Sequence, residues 1–309
     1  LATGARPREM AFMPIDGERV ISSRQALTLA KLPETMIVVG SGAIGSEFAW
    51  FYAALGVKVT VVEYMPRMMP LEDEEVSKTM ERAFRKLRAA VLTSTTVKSV
   101  RVNTEGRCEV EIEGKKGAET LTADIVLSAV GIKSNIENIG LEELGVAVER
   151  DKVVVDQFYR TNVPGVYAIG DIVGGPALAH VASAEGICCV EAICGLNPAP
   201  VDYSTIPSCV FTSPEVASVG MTEQQAQERG IAYKTGRFPF TASGKATATG
   251  DRDGFVKLLF GEDDTLLGAH MVGMNVTEMI AEPTLARMLG ATGHRIARTI
   301  HAHPTMNEG

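Results

Sequence analysis

The 309-residue chain has no apolar run near the ~18 residues that a membrane-spanning helix requires, so no membrane partner is expected. It also lacks a basic excess. Lysine and arginine number 30 against 38 acidic residues, for a net charge of -8 without a basic stripe, so nucleic acid is not an expected partner. The first residues, Leu1-Ala-Thr-Gly-Ala-Arg6, form neither a signal peptide nor an initiator-methionine start. We therefore expect a cytoplasmic protein and a piece of a longer one, since the chain also stops at Gly309 directly after a polar, motif-like segment. His301 and His303 could form half a metal site, but no third ligand stands at a suitable spacing, so no metal is expected. What is present is globular: 45% hydrophobic residues over this length can build two or three cores.

The five cysteines do not make a disulfide framework. Cys189 and Cys194 have C-x4-C spacing but fall in an apolar pattern that reads as a helix from Ala177 to Cys194. Residues five apart on a helix are turned about 140° from each other, with Cα atoms roughly 8 to 9 Å apart. That exceeds the ~7 Å limit for a bridge. Cys188, Cys189 and Cys194 read as small buried apolar residues, and Cys108 and Cys209 as reduced thiols on strands.

The most informative stretch is Met36 to Glu63. An apolar β-branched run, Met36 to Val39, leads into Gly40-Ser-Gly42-Ala43-Ile44-Gly45; a helical pattern follows to Gly56; a second apolar run, Val57 to Val62, ends in Glu63. Strand, glycine turn, helix, strand and acid is the order of a dinucleotide-binding βαβ unit. Gly40 permits the tight turn, Gly42 lets backbone approach a pyrophosphate, and Gly45 lets helix and strand pack closely. The helix N-terminus then offers free N–H groups to the phosphates. Ile44, Phe48, Phe51, Tyr52 and Leu55 share one helix face, which is expected to pack on the sheet. Glu63 can accept the ribose hydroxyls and would repel a 2′-phosphate, which predicts NAD over NADP, with the nearby Arg67 as the one residue able to reach a phosphate. Glu47, in the first helical turn, reads as an acid favoured by the helix dipole or as a carboxylate near the nicotinamide end.

A weak helix, Ser23 to Lys31, precedes this unit. After it come a helix from about Asp73 bearing Val76, Met80, Phe84 and Leu87, and a meander at Val97 to Val102, Arg107 to Ile112 and Glu119 to Thr122. The buried-type strand Asp124 to Val130 closes at Gly131, which is either a second dinucleotide contact or a plain turn. Thr161 to Asp171 is a turn, a short strand and an acid. Asp171 either accepts from a ligand hydroxyl or caps the following helix. From about Asn197 the pattern becomes α+β, with a capping box at Thr222 to Gln225, strands at Tyr233 to Phe238, Gly254 to Phe260 and Leu266 to Val272, and a helix from Asn275 to Leu289. His303 lies five residues before Glu308 around a turn, the spacing at which a carboxylate orients an imidazole as a general base.

Taken in order, these motifs resemble the flavin disulfide reductase family, and within it the dihydrolipoamide dehydrogenases. The resemblance rests on Ala2-Thr-Gly4, Gly40 to Gly45 with Glu47 and Glu63, Ala129-Val-Gly131, Thr161 to Asp171, Leu178-Ala-His180 and His301 to Glu308. It implies a Rossmann-like NAD-binding α/β domain with a β-meander at 31–149, the tail of a FAD-binding domain at 1–30, a central FAD-contacting segment at 150–196 and an α+β dimerisation domain at 197–309. It also implies that Gly4, Asp171 and the backbone of Ala177, Leu178, Ala179 and His180 touch FAD, and that Val97 and Gly131 line the NAD site with Glu47 in the sharper of its two roles. His303 and Glu308 become the catalytic pair, acting at the partner subunit's disulfide. The implied activity is FAD-dependent oxidation of lipoamide dithiol with hydride transfer to NAD. The implied enzyme is a homodimer that serves a lipoyl-bearing protein and has a place in a 2-oxo-acid dehydrogenase complex.

The sequence departs from that family in having neither the flavin G-x-G-x-x-G nor the redox C-x4-C. The chain alone is therefore expected to bind NAD and to dimerise without full turnover. Ile132 stands where the family usually has a basic residue, with Lys133 next, which leaves fine NAD/NADP preference open. The competing readings are another NAD(P)-linked flavin reductase, such as a soluble transhydrogenase or mercuric reductase, and a non-enzymatic NAD-binding fragment.

Overall fold

A parallel five-stranded sheet carries the glycine turn. Its strands run in the order Val20–Ser22, Ile125–Ser128, Thr35–Val39, Lys58–Val62 and Ala90–Leu92. Alternation along the central strand serves two cores. Met36 and Val38 face helices Ala43–Ala54 and Glu74–Lys86, packing with Ala49, Tyr52, Met80 and Phe84, while Ile37 and Val39 face the antiparallel meander and pack with Val100, Val110 and Ile112. The meander strands are Thr96–Val102, Cys108–Gly114 and Gly117–Ala123. A five-stranded antiparallel sheet follows, in the order Pro207–Val210, Glu215–Gly220, Leu266–Gly273, Phe255–Gly261, Tyr233–Pro239. The molecule is thus α/β with parallel and antiparallel sheets, and no helix is long and apolar enough to cross a membrane.

This computed structural model describes residues 1–309, which divide into two units. One comprises 9–130 and 207–309 and holds both large sheets; the other comprises 1–8 and 131–206. In the second unit Ala5–Pro7 pairs with Ile132–Ser134, and helix Ala179–Ile193 packs Cys188 and Cys189 against Tyr159. Val20–Ser22, within the segment 1–30 read as another domain's tail, forms the outer strand of the parallel sheet.

Several expectations about elements need correction. Helix Ala43–Ala54 buries Gly45, Ser46, Ala49, Tyr52 and Ala53, whereas Ile44, Phe51 and Leu55 of the expected face are exposed. Small residues let the helix lie close to the sheet, and bulky side chains there would hold it away. The weak helix stops at Ala26 rather than Lys31. The helix expected over Asn275 to Leu289 is two, Val276–Met279 and Ala281–Met288. All five cysteines are free, but Cys194 is exposed where a buried residue was expected.

Candidate functional site

The turn after strand Thr35–Val39 shows why each glycine stands where it does. A Cβ on Gly40 would lie 2.4 Å from the Ala129 carbonyl oxygen, and one on Gly45 would lie 2.1 Å from the Gly40 carbonyl oxygen. Both positions demand glycine for packing, and Gly40 also has φ +97°. Gly42 differs. It has nothing within 4 Å of its Cβ position, and as N-cap of helix Ala43–Ala54 it supplies no side-chain hydrogen bond to the first turn. Ala43 and Ile44 begin that helix at the surface, so free N–H groups and the positive dipole end meet an uncovered space suited to an anion.

Beside this turn lies a cavity of about 460 Å³ lined by Gly40, Ser41, Gly42, Glu63, Val97 and Ala129, among others. Glu63 is buried. Its Oε2 accepts from the Ser41 amide at 2.8 Å and the Ser41 hydroxyl at 2.7 Å, and its Oε1 accepts from the Met65 amide at 2.8 Å. Three of the roughly four acceptor positions of a carboxylate are therefore engaged, which leaves one on Oε1 rather than room for two new donors. The residues fit a nicotinamide dinucleotide on these grounds: an open cradle at Gly42, a bare helix N-terminus and a fixed negative charge one strand away. Ser41 escaped the sequence reading, because the motif marks its position as variable.

Glu47 is half-buried, and its Oε1 accepts from the Phe211 amide at 2.8 Å, a tie from the helix's first turns to the C-terminal segment. Gly131 has φ +108° and open space at its Cβ position, and its carbonyl accepts from the Arg8 amide at 3.0 Å. It follows Ala129 and Val130, which line the cavity.

In the unit of 1–8 and 131–206, to which Gly131 also belongs, Gly4 adopts φ +68° and its carbonyl accepts from the Asn135 amide at 2.8 Å. Asp171 lies in the turn Gly170–Ile172, and its carbonyl accepts from Ser134 Oγ at 3.1 Å and from Lys152 Nζ. It does not cap the following helix, where Leu178 is the N-cap and makes no side-chain capping bond. Ala177, Ala179 and His180 are exposed around that N-terminus. Glu185, buried in the same helix, accepts from the Gly170 amide at 2.6 Å and from the Tyr203 hydroxyl at 2.6 Å, so the residue before Asp171 is held by an acid that Tyr203 orients. A steadied acid and a bare helix N-terminus fit part of a flavin site.

At the C-terminus His303 Nδ1 stands 2.8 Å from Glu308 Oε1, while Glu308 Oε2 accepts from the Thr305 amide at 2.9 Å. The Thr305 N–H, with His303 second, holds the Glu308 carboxyl below its ordinary range. With Nδ1 donating to a carboxylate, the exposed imidazole presents Nε2 as an acceptor. His301 has a carboxylate partner of its own, Glu282 Oε1 at 2.7 Å, and Glu282 Oε2 accepts from Asn307 Nδ2 at 3.3 Å. Glu282 was not singled out from the sequence, since nothing local links it to His301.

The pattern of the family described as pyridine nucleotide-disulphide oxidoreductase matches residues 1–186, and that of the family's dimerisation domain matches residues 206–309. Over its whole length the chain is 46% identical to dihydrolipoyl dehydrogenase of Chlorobaculum tepidum, of which it covers 66%. It is 44% identical to that of Bacillus subtilis, covering 65%, and 41% identical to the mitochondrial enzyme of Homo sapiens, covering 61%. The chain thus spans just under two thirds of the length of these relatives. Among solved structures, LpdA from Mycobacterium tuberculosis superposes with a TM-score of 0.91 at 30% identity, over 99% of this chain and 66% of that one. The Cu(II) complex of the HOCl-induced flavoprotein disulfide reductase RclA from Escherichia coli gives 0.91 at 26%, over 99% and 69%.

Proposed function

The chain belongs to the pyridine nucleotide-disulphide oxidoreductase family, and from that membership we propose that it is the NAD-binding and dimer-forming part of a dihydrolipoyl dehydrogenase. The activity is the NAD-linked oxidation of lipoamide dithiol. The observation that carries the dithiol reading is the His303–Glu308 pair at 2.8 Å, an exposed base whose orientation a carboxylate fixes. Gly42 receives the pyrophosphate, with Ala43 and Ile44 at the helix start, while Gly40 and Gly45 shape the turn that presents it; Glu63 takes a ribose hydroxyl, and Val97 and Gly131 flank the nucleotide. Gly4, Asp171 and the Ala177 to His180 backbone hold part of FAD. When bound, flavin and nicotinamide supply the hydride chemistry.

The work of this chain's own residues is to hold and to move protons. His303 Nε2 accepts the thiol proton, Glu308 keeps the receiving nitrogen free and stabilises the imidazolium, and Glu47 keeps the helix start seated through Phe211. Residues 197–309 form the interface of a homodimer, a reading supported by the match to the dimerisation domain and by the exposed Leu285, Met288 and Leu289. The lipoyl partner belongs to a 2-oxo-acid dehydrogenase complex in the cytoplasm.

The direct test is calorimetric titration of the unmodified chain with NAD, NADH and NADP. Tighter binding of NAD and NADH than of NADP is expected. Failure of NAD to bind, or equal affinity for NADP, overturns the reading of the pocket.

A further inference from the structure

Lys257 interrupts an otherwise apolar strand, Phe255–Gly261, and is only 4% exposed. A charge in such a place persists when it is paired, and here it meets Asp73 Oδ1 at 2.9 Å, Glu223 Oε2 at 2.5 Å and Glu75 Oε2 at 4.0 Å. Asp73 is itself fully buried as the N-cap of helix Glu74–Lys86. Besides Lys257 it accepts from the Glu75 amide at 3.0 Å and the Glu223 amide at 3.2 Å. One lysine of the antiparallel sheet therefore fixes the point at which the loop Tyr64–Glu72 ends.

The same loop has a second anchor. The Met69 amide donates to the Ser41 carbonyl at 3.1 Å and to Ser41 Oγ at 3.2 Å, and that hydroxyl donates to Glu63 at 2.7 Å. Between the anchors the Glu72 amide bonds the Met69 carbonyl at 3.0 Å, and so does Ser77 Oγ at 3.3 Å. The route from Lys257 to the acid of the cofactor pocket runs through direct bonds and one short, tied piece of backbone.

We propose that Lys257 is a positioning residue for the dinucleotide pocket, anchoring Asp73 so that Met69 stays against Ser41 and Ser41 keeps Glu63 aimed at the ribose. This rests on the reading of the pocket as a dinucleotide site. Stability alone gives little reason for the arrangement, because a buried ion pair costs desolvation that an apolar side chain on this strand would not incur. What the pair does provide is a fixed geometry for a loop with no helix or strand of its own.

The test compares Lys257→Met, Asp73→Asn and the double variant by NAD calorimetry and by hydrogen exchange at the Met69 amide. Asparagine keeps the helix cap, so Asp73→Asn carries the test if Lys257→Met does not fold. Each folded single variant should bind NAD about threefold to thirtyfold more weakly and exchange the Met69 amide faster, with the double variant no weaker than the worse single one. Arg237→Gln removes a salt bridge from the neighbouring strand Tyr233–Pro239 to Glu75 of the same helix without touching Asp73, and should leave both readouts unchanged. Unchanged NAD affinity and unchanged Met69 protection in the folded single variants would overturn the proposal, as would equal losses in Arg237→Gln. If the unmodified chain does not bind NAD, the pocket reading falls, and the exchange at Met69 still decides whether Lys257 holds the loop.

Discussion

The backbone amide and the hydroxyl of Ser41 both donate to one oxygen of Glu63, at 2.8 and 2.7 Å. The carboxylate is thereby fixed before any ligand arrives, and the acceptor position left open belongs to its other oxygen. Glu63→Gln should weaken NAD binding by about ten- to a hundredfold, as expected for a hydrogen bond to a charged group. It should also narrow the gap between NAD and NADP, because the charge that repels a 2′-phosphate is gone. Calorimetry with both nucleotides measures each effect, and an unchanged ratio would remove Glu63 from the discrimination.

Gly42 and Gly45 make opposite predictions. An added methyl at Gly42 meets nothing within 4 Å, so Gly42→Ala should melt at a near-normal temperature while losing most NAD affinity, the methyl standing where a pyrophosphate would lie. At Gly45 the methyl would lie 2.1 Å from a carbonyl oxygen. Gly45→Ala should lose about 1 to 3 kcal/mol of stability from overpacking. Thermal denaturation and NAD titration of both variants separate the two roles.

His303→Ala in a full-length enzyme containing this chain should slow lipoamide turnover by ~100 to 10,000-fold, the usual contribution of a general base. Glu308→Ala should cost less, since the base remains and its orientation is lost. NADH oxidation by an artificial acceptor should be largely spared in both. His301→Ala should have the smaller effect of the two histidine changes, because its partner Glu282 engages Nε2 and leaves that nitrogen committed. Near-normal turnover in His303→Ala would overturn the assignment.

Stability should depend on pH through His270. Burial holds this imidazole below its ordinary value of 6.5, with Asp73, Lys257 and Arg287 around it. Its Nε2 lies 2.9 Å from the Met221 carbonyl, and its Nδ1 has no partner. Below pH 6.5 the unfolded chain takes up a proton that the folded one refuses, so this contribution is full above 6.5 and declines as pH falls towards the depressed folded value, by at most about 1.4 kcal/mol per pH unit. Glu72 acts in the opposite sense. Burial raises its carboxyl above 4.5, so its contribution falls as pH rises from 4.5 towards the raised folded value. His270→Gln, which keeps a donor for Met221, should flatten the rise in melting temperature between pH 5 and 6.5; an unchanged slope would assign the dependence elsewhere.

The strand–turn–helix–strand order from 36 to 63 was legible because each element announces itself locally: β-branched runs for Thr35–Val39 and Lys58–Val62, and glycines at the turn. The buried face of the helix was legible only in part, since Phe48 and Tyr52 of the expected face do pack on the core. Periodicity finds bulky apolar residues, whereas the close approach at Gly45 selects small ones, and Phe51 and Leu55 are left outside. Val20–Ser22 escaped notice as a strand because three residues carry too little pattern to be read without the neighbour Val126–Ser128. Spacing pointed to His303 and Glu308 because they are local partners, while Glu282 with His301, Ser41 with Glu63 and Asp73 with Lys257 are joined only by the fold. A lysine inside Phe255-Val-Lys-Leu-Leu-Phe260 was the one available sign of the last pair.

Asp73 and Lys257 are separated by 184 residues, and the unit that holds them is interrupted by the whole of 131–206. On a ribosome adding roughly 5 to 20 residues per second, the carboxylate would precede its lysine by on the order of 10 to 40 s. During that interval the parallel sheet can pair, since all its strands lie before residue 130, but helix Glu74–Lys86 begins at an acid with no counter-ion. Nascent chains stalled before Lys257 should therefore be cut by protease between Tyr64 and Glu72, and chains stalled well beyond it should resist.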